Sequence, residues 1–230
     1  LDRGDFQIVL DNGEILKTKA VIIATGASAK WLEIPKEKEL IGKGVSGCAT
    51  CDGMFFRDKI VAVVGGGNTA AEDADFLAKV CKKVYLIHRR DELRATPIEA
   101  KRVLENPKIE MVWNSEVIEI NDQLSITNDK LENIKIKNNK TGEEKTLEID
   151  GLFVAIGRIP ATGFAKDIIE LKENNYVVVG KNKEYPTMTS MPGIFAAGDC
   201  MDETYRQAIV AAGAGAKAAI DVERWLNNRE

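Results

Sequence analysis

Two cysteines separated by two residues, Cys48 and Cys51, form the most chemically reactive pattern in the sequence, and Asp52 follows them directly. Cysteines at this spacing can supply half of a zinc site, form an inert structural pair, or cycle between a disulfide and a dithiol. A zinc site usually needs four sulfur or nitrogen ligands, and the rest of the chain has only two more cysteines and one histidine. The composition therefore favours redox chemistry and predicts no metal, while the pattern alone leaves the other possibilities open.

A glycine-rich turn lies downstream of the cysteines, between a strand pattern and a helix pattern. Residues 60–64 are apolar and mostly β-branched, and apolar residues then recur at helical spacing from residue 70. The turn follows the G-x-G-x-x-A arrangement, which brings backbone N–H groups and a helix N-terminus to a pyrophosphate. The glycines alone would also suit an ordinary tight turn. The predicted cofactor-binding residues of this turn are Gly65, Gly67, Asn68, Thr69 and Ala70.

Basic residues follow the next apolar strand, residues 84–87, about twenty positions after the glycines, where an NAD-binding protein would place an acid. This chain has His88, Arg89 and Arg90 there, with Arg94 shortly after. Guanidinium groups pair with a 2′-phosphate whereas an acid repels it, so the sequence predicts NADPH as a cofactor. The solvated start of a basic helix is the alternative. We expect His88 to lie beside the phosphate without a role in proton transfer.

The composition of the chain limits its class and its partners. Its 230 residues, 44% of them hydrophobic, can form one large domain or two small ones. Because the sequence has no apolar run of about eighteen residues and no signal-peptide pattern, we expect neither a membrane span nor secretion. A net charge of −4, with basic residues spread along the chain, argues against nucleic acid as a partner. The sparse cysteines favour the cytoplasm.

An internal repeat indicates how the rest of the chain is organised. A turn, a polar strand and an apolar strand end at Thr25 and Gly26, and residues 141–157 repeat this plan and end at Gly157. Each copy resembles the closing strands of a dinucleotide-binding unit. The second unit opens at Gly65, and the same interval counted back from Gly26 falls about 66 residues before residue 1. The repeat therefore predicts that the front of the first domain is missing.

Four segments carry a family resemblance: GCATCDG from residue 47, GGGNTA from residue 65, HRRDELRA from residue 88 and GIFAAGDCMDETYRQAIVAAGAGAKAA from residue 193. In this order they resemble the low-molecular-weight thioredoxin reductases, which are flavoprotein disulfide reductases. The resemblance implies an α/β fold with two Rossmann-like, three-layer dinucleotide-binding domains. Residues 1–31 and 157–230 would form an incomplete FAD-binding domain, and residues 32–156 an inserted NADPH-binding domain with the redox cysteines.

The resemblance also implies a reaction. Electrons would pass from NADPH to FAD, then to a Cys48–Cys51 disulfide, and finally to the disulfide of thioredoxin or a thioredoxin-like protein. Cys51 would lie nearer the flavin, Cys48 would attack the partner, and Asp52 would act as acid and base. The alternative for Asp52 is a turn-forming role before the glycine that follows it. The family further implies a homodimer.

The resemblance assigns a group of residues near the end of the chain to the flavin. Asp199 would bind the ribityl chain, and the residues from Arg206 to Ala208 would lie along the isoalloxazine ring. The full set of cofactor residues outside the glycine turn and the basic segment is Thr25, Gly26, Gly157, Gly198, Asp199, Arg206, Gln207 and Ala208.

Two positions depart from the common family pattern, Cys200 after Gly-Asp and Ala161 after Arg-Ile-Pro. Neither lies on the implied electron path, and we expect Cys200, like Cys81, to be a packing residue. Two other functions fit the same motifs. One is the reductase component of an alkyl hydroperoxide system, and the other is a redox-silent NADP-binding fragment.

Overall fold

The computed structural model describes residues 6–123 and 130–229 of the protein. The chain divides into two compact units: unit 1 is Leu1–Ser28 with Arg158–Glu230, and unit 2 is Ala29–Gly157. Unit 2 is therefore one uninterrupted stretch of chain, whereas unit 1 is formed by two. The division lies near the boundaries drawn from the sequence, and the assignment of one cofactor to each unit stays a prediction.

The elements follow one another as short strands and a few helices. The strands are β1 (Phe6–Val9), β2 (Ile15–Thr18), β3 (Val21–Ile23), β4 (Ala27–Ala29), β5 (Val45–Ser46), β6 (Ile60–Val64), β7 (Lys83–His88), β8 (Ile109–Trp113), β9 (Ser115–Gln123), β10 (Lys130–Asn138), β11 (Glu144–Glu148), β12 (Gly151–Val154), β13 (Arg158–Pro160) and β14 (Ile194–Ala196). The α-helices are α1 (Ala49–Asp52), α2 (Asn68–Val80), α3 (Pro97–Glu105) and α4 (Ala208–Asn227). Short 3-10 turns cover Gly53–Phe56, Gly163–Ala165 and Gly198–Cys200.

A five-stranded parallel sheet in the order β5-β12-β6-β7-β8 forms the centre of unit 2. Its inner strands β6 and β12 are apolar and almost entirely buried, because strands covered on both faces need apolar residues at every position. All five strands point the same way, so their carboxyl ends meet at one edge of the sheet, where α/β proteins usually bind ligands.

Helices cover one face of this sheet. Helix α2 turns Ala70, Ala74 and Leu77 inward at a spacing of three and four residues, and all three are fully buried. The two alanines let the helix approach the sheet closely, and Val61, Val63 and Phe153 complete the same cluster. Cys81 ends the helix and is buried in this cluster, as expected.

An antiparallel sheet, β11-β10-β9, covers the other face and completes a three-layer unit. Ile120 and Ile134 on this sheet share a buried cluster with Val64, Ile87 and Leu152 from the parallel sheet. The repeat predicted a polar strand before β12, and β11 occupies that place, but β9 and β10 were not predicted. The α/β, three-layer expectation is confirmed for this unit.

Unit 1 pairs its described strands in twos, as β1–β2, β3–β14 and β4–β13. Its largest buried side chains, among them Phe195 and Trp225, pack where α4 meets β14. The buried Asp221 of α4 accepts hydrogen bonds from the backbone N–H and the hydroxyl of Thr187, at 2.9 and 2.7 Å. Cys200 is fully buried, which agrees with a packing role. No helix within the described ranges is long and apolar enough to cross a membrane.

Candidate redox and nucleotide sites

Cys48 and Cys51 are joined by a disulfide at the start of α1, with an S–S distance of 2.01 Å and a Cα–Cα distance of 5.3 Å. Cys48 is the N-cap of the helix and is half-buried, whereas Cys51 is exposed. The backbone N–H of Cys51 donates to Cys48 Sγ at 3.2 Å, and the hydroxyl oxygen of Thr50 lies 3.5 Å from the same sulfur. Solvent and a partner can therefore reach the disulfide at Cys51.

Asp52 is half-buried at the end of α1, and the strand before the cysteines holds its carboxylate. Oδ2 of Asp52 accepts a hydrogen bond from the hydroxyl of Ser46 at 2.6 Å. Ser46 ends β5, is only 5% exposed, and its Oγ accepts from the backbone N–H of Cys48 at 3.0 Å. Sequence reasoning missed Ser46, and its only signal is a polar residue at the end of a short apolar strand.

Two large apolar side chains are exposed directly after the disulfide. Met54 is 51% exposed and Phe55 is 75% exposed, while Phe56 on the same turn is buried in the core. The turn packs closely against α2. A Cβ on Gly53 would lie only 3.0 Å from side-chain atoms of that helix. An apolar pair beside a reactive disulfide is the kind of surface that a protein partner covers.

A cleft of about 990 Å³ opens in unit 2, at the edge where the strands of the parallel sheet end. It is bounded by the glycine turn after β6, the residues after β7 and β12, the start of β9, and the segment before β5. Ala70 and Arg90 do not line this cleft: Ala70 is fully buried on the side of α2 that faces the sheet, and Arg90 is exposed. The predicted cofactor residues that line it are Gly65, Gly67, Asn68, Thr69, His88, Arg89, Arg94 and Gly157.

Close approaches explain the glycines of the turn. A Cβ on Gly65 would lie 2.5 Å from the carbonyl oxygen of Ala155, so only glycine fits between β6 and β12. A Cβ on Gly66 would lie 2.2 Å from Cε1 of His88, although the motif allows any residue there. Gly67 caps α2 and has open space beside it. The N-terminus of α2 therefore borders the cleft with its backbone accessible, as a pyrophosphate site requires.

Backbone hydrogen bonds tie the basic segment to the glycine turn. The N–H of Arg94 donates to the carbonyl oxygen of Gly66 at 2.7 Å, and the N–H of Thr96 donates to Oδ1 of Asn68 at 2.7 Å. Arg89 and Arg94 line the same cleft as the turn. Two arginines and a helix N-terminus in its lining make this cleft attractive to anions.

His88 lies under the glycine turn and is only 4% exposed. Its Nε2 is buried and has no hydrogen-bond partner among the described residues. Burial lowers the pKa of His88, the charges of Arg94, Arg90 and Arg89 lower it further, and a backbone hydrogen bond at Glu92 opposes them. These effects favour the neutral form of the imidazole. Its expected place beside a 2′-phosphate stays a prediction.

The predicted flavin residues lie in two places in unit 1. Gly26 follows β3 and Gly198 follows the parallel β14, so both lie at one edge of that strand pair, with φ angles of +72° and +75°. Thr25 and Asp199 are their chain neighbours. Gln207 is the N-cap of α4, Ala208 begins the helix, and Arg206 precedes them. Nε of Arg206 is buried without a hydrogen-bond partner among the described residues, which fits a donor meant for an acceptor on a bound group.

Sequence reasoning missed the cleft walls that face the glycine turn. They come from the loop before β5, from the residue before α3 and from the start of β9, and the order of the chain does not predict that these segments meet. These residues are Trp31, Leu32, Ile34, Thr96, Ser115, Glu116, Val117 and Ile118. The described residues also contain no group of three His, Cys, Asp or Glu side chains that could hold a metal ion.

Comparisons with known proteins agree with this architecture. The family model for pyridine nucleotide-disulphide oxidoreductases matches residues 1–215. The bifunctional thioredoxin reductase/thioredoxin of Mycobacterium leprae is 47% identical over 95% of the chain, which spans 46% of that protein. The thioredoxin reductase of Rickettsia felis is 43% identical over 99% of the chain, which spans 72% of it.

Solved structures give the same relationship. Thioredoxin reductase from Giardia duodenalis superposes with a TM-score of 0.87 at 43% identity, covering 96% of this chain and 71% of that one. Thioredoxin reductase from Streptococcus pyogenes gives a TM-score of 0.85 at 39% identity, covering 95% of this chain and 69% of that one. The chain therefore belongs to the pyridine nucleotide-disulphide oxidoreductase family and, within it, to the thioredoxin reductases.

Proposed function

We propose that the protein containing this chain uses NADPH to reduce the disulfide of thioredoxin or a thioredoxin-like protein, through FAD and the Cys48–Cys51 disulfide. One observation carries the proposal: a formed, accessible disulfide with a neighbouring carboxylate lies in the same unit as a cleft lined by a glycine turn and two arginines. The relatives named above as thioredoxin reductases support the choice of partner.

The exposed surface beside the disulfide supports a protein as the electron acceptor. Met54 and Phe55 add apolar area next to the exposed Cys51, and a folded partner buries such area when it binds. A small disulfide such as a dipeptide would leave most of it exposed.

Both proposed cofactors have residues that suit them. In unit 2 the N-terminus of α2 would hold the pyrophosphate of NADPH, and Arg89 and Arg94 the 2′-phosphate. In unit 1 the buried Nε of Arg206 and the open space beside Gly26 suit the flavin end of FAD. When bound, the two cofactors supply the hydride and relay its electron pair to the disulfide.

The residues of the chain would then carry out the thiol chemistry. Two electrons break the S–S bond and leave two sulfurs, of which one, Cys51, takes a proton, and Asp52, the next residue in the chain, would supply it. The N–H of Cys51 points at the sulfur of Cys48 and would stabilise a thiolate there. That thiolate would attack one sulfur of the partner disulfide, break its S–S bond and form a mixed disulfide, with the other partner sulfur leaving as a thiolate that takes up a proton. Asp52 would take back the proton of Cys51, whose thiolate would then attack Sγ of Cys48. This step breaks the mixed disulfide, restores the Cys48–Cys51 bond and releases the second partner sulfur, which takes up a proton.

The proposal extends to assembly and location. Unit 2 would be the NADPH-binding domain and unit 1 the FAD-binding domain. A homodimer in the cytoplasm is proposed on the family resemblance, together with the free, buried thiols of Cys81 and Cys200, which suit a reducing compartment. Sedimentation at several protein concentrations tests the dimer.

The test of the function compares Cys48→Ser with Cys81→Ser, a matched change at a buried cysteine, in the full-length FAD-containing protein. We expect Cys48→Ser to abolish reduction of thioredoxin while NADPH still bleaches the flavin, since the disulfide acts after the flavin. Cys81→Ser should retain turnover. Thioredoxin reduction that survives Cys48→Ser, or a wild-type protein that reduces only a peroxidase, would exclude the proposed function.

A further inference from the structure

The geometry points to Ser46 as a positioning residue for the redox site: its hydroxyl holds the Asp52 carboxylate beside the backbone of Cys48. The inference rests on the proposed function, in which Asp52 supplies and removes the proton of the dithiol.

The hydrogen bonds of Ser46 leave one arrangement for its single proton. Oγ of Ser46 accepts from the N–H of Cys48 at 3.0 Å, so its own proton is free to donate. The oxygen of the Asp52 carboxylate is 2.6 Å away, whereas the carbonyl oxygen of Cys48 is 3.4 Å away and already accepts from the N–H of Asp52 at 3.1 Å. The proton therefore belongs to the bond with Asp52, which is short and charge-assisted.

The anchor itself is rigid. Ser46 is buried at the end of β5, and its position in the sheet is fixed by parallel pairing with Phe153 of β12. Asp52 is only half-buried, so without this bond its side chain could rotate toward water. Asp52 is therefore connected to the central sheet of unit 2 through Ser46, in addition to its covalent place at the end of α1.

A hydroxyl suits both forms of the acid. It donates to Asp52 when the carboxylate is ionised, and it accepts from Asp52 when the carboxyl carries a proton. The contact can therefore persist while the proton is gained and lost, which a methyl group at this position would not allow. If Ser46 only accepted the hydrogen bond from the N–H of Cys48, its hydroxyl would have no effect on the proton transfer at Asp52.

The experiment uses the full-length FAD-containing protein and the variants Ser46→Ala, Ser46→Thr and Ser46→Val. We expect Ser46→Ala to lower kcat for thioredoxin reduction at least about tenfold, because the acid is misplaced, with an unchanged KM for thioredoxin and unchanged flavin reduction by NADPH. Ser46→Thr should restore kcat. Threonine and valine have the same shape, so their difference reports the hydroxyl even if Ser46→Ala folds poorly.

A double-variant comparison separates positioning from structure. In an Asp52→Asn background, Ser46→Ala should change kcat less than about twofold, because the group it positions is gone. A second measurement uses neither NADPH nor thioredoxin: dithiothreitol opens the Cys48–Cys51 disulfide, and alkylation traps the free thiols. The rate of this opening should fall in Ser46→Ala together with kcat. This rate tests Ser46 even if thioredoxin is the wrong partner. Equal rates for threonine and valine, or an undiminished effect of Ser46→Ala in the Asp52→Asn background, would overturn the inference.

Discussion

The two units of the chain differ in whether a single sheet positions their proposed site residues. In unit 2 the disulfide follows β5, the glycine turn follows β6, the basic segment follows β7, and the last wall of the cleft follows β12. These strands are parallel neighbours, so all four segments leave the same edge of one sheet. In unit 1 the described strands pair only in twos, and the proposed flavin residues lie after β3 and β14 and before α4.

The same difference shows in the burial of apolar residues. Strands β6 and β12 are buried almost throughout, whereas β1 and β2 expose Ile8, Val9, Ile15 and Leu16. Unit 2 therefore has a core that its own residues enclose, and unit 1 leaves apolar strand surface accessible within the described residues. The comparison indicates that the disulfide and the proposed nucleotide site of unit 2 should depend little on unit 1.

The largest expected effect separates the two units physically. We expect residues 29–157 expressed alone to fold cooperatively and to bind NADPH, because the stretch contains its own core and the complete cleft. Residues 1–28 joined by a short linker to 158–230 should instead aggregate through exposed apolar strands. Calorimetric titration with NADPH and thermal unfolding followed by circular dichroism measure both outcomes. The comparison would fail if the linked polypeptide of residues 1–28 and 158–230 folded well, or if residues 29–157 folded only in the presence of unit 1.

A smaller effect tests how the cleft of unit 2 is built. Gly66→Ala should destabilise unit 2 by about 1–3 kcal/mol, because the added methyl overlaps the buried ring of His88. Adding His88→Ala should recover part of this loss by making room, although His88→Ala alone destabilises. Urea unfolding of the four proteins gives the coupling energy. Additive losses would show that the turn and the histidine do not contact each other.

The smallest effect concerns the choice of nucleotide. Replacing both Arg89 and Arg94 by alanine should weaken NADPH binding about tenfold or more, since each loses a charged hydrogen bond to the 2′-phosphate, and should leave NADH binding nearly unchanged. Arg90→Ala is the matched control, because Arg90 does not line the cleft, and it should have a smaller effect. Dissociation constants for both nucleotides provide the measurement. An equal loss for NADH and NADPH would contradict the phosphate role.

The sequence predicts the parts of unit 2 whose signals are local. The apolar run Ile60–Val64 and the glycines after it identify a strand, a turn and a helix, because backbone geometry determines those residue types directly. The sequence could not predict that Trp31 and Ser115 line the same cleft as that turn, since only the packing of the loop before β5 and of the antiparallel sheet brings them there. Ser46 was missed for a related reason. Its proposed role depends on its contact with Asp52, and that contact cannot be predicted from the residue types alone.

The burial of Cys81 and Cys200 has a practical consequence for chemical labelling. Both thiols are almost inaccessible, and burial raises the pKa of Cys81 to about 11, so Cys81 forms little thiolate at neutral pH. A maleimide or iodoacetamide reagent should therefore not react with the native oxidised protein. It should modify Cys48 and Cys51 once their bond has been reduced. The wild-type chain thus contains its own redox-gated attachment point for a fluorophore or spin label, and no background cysteine needs to be removed before it is used.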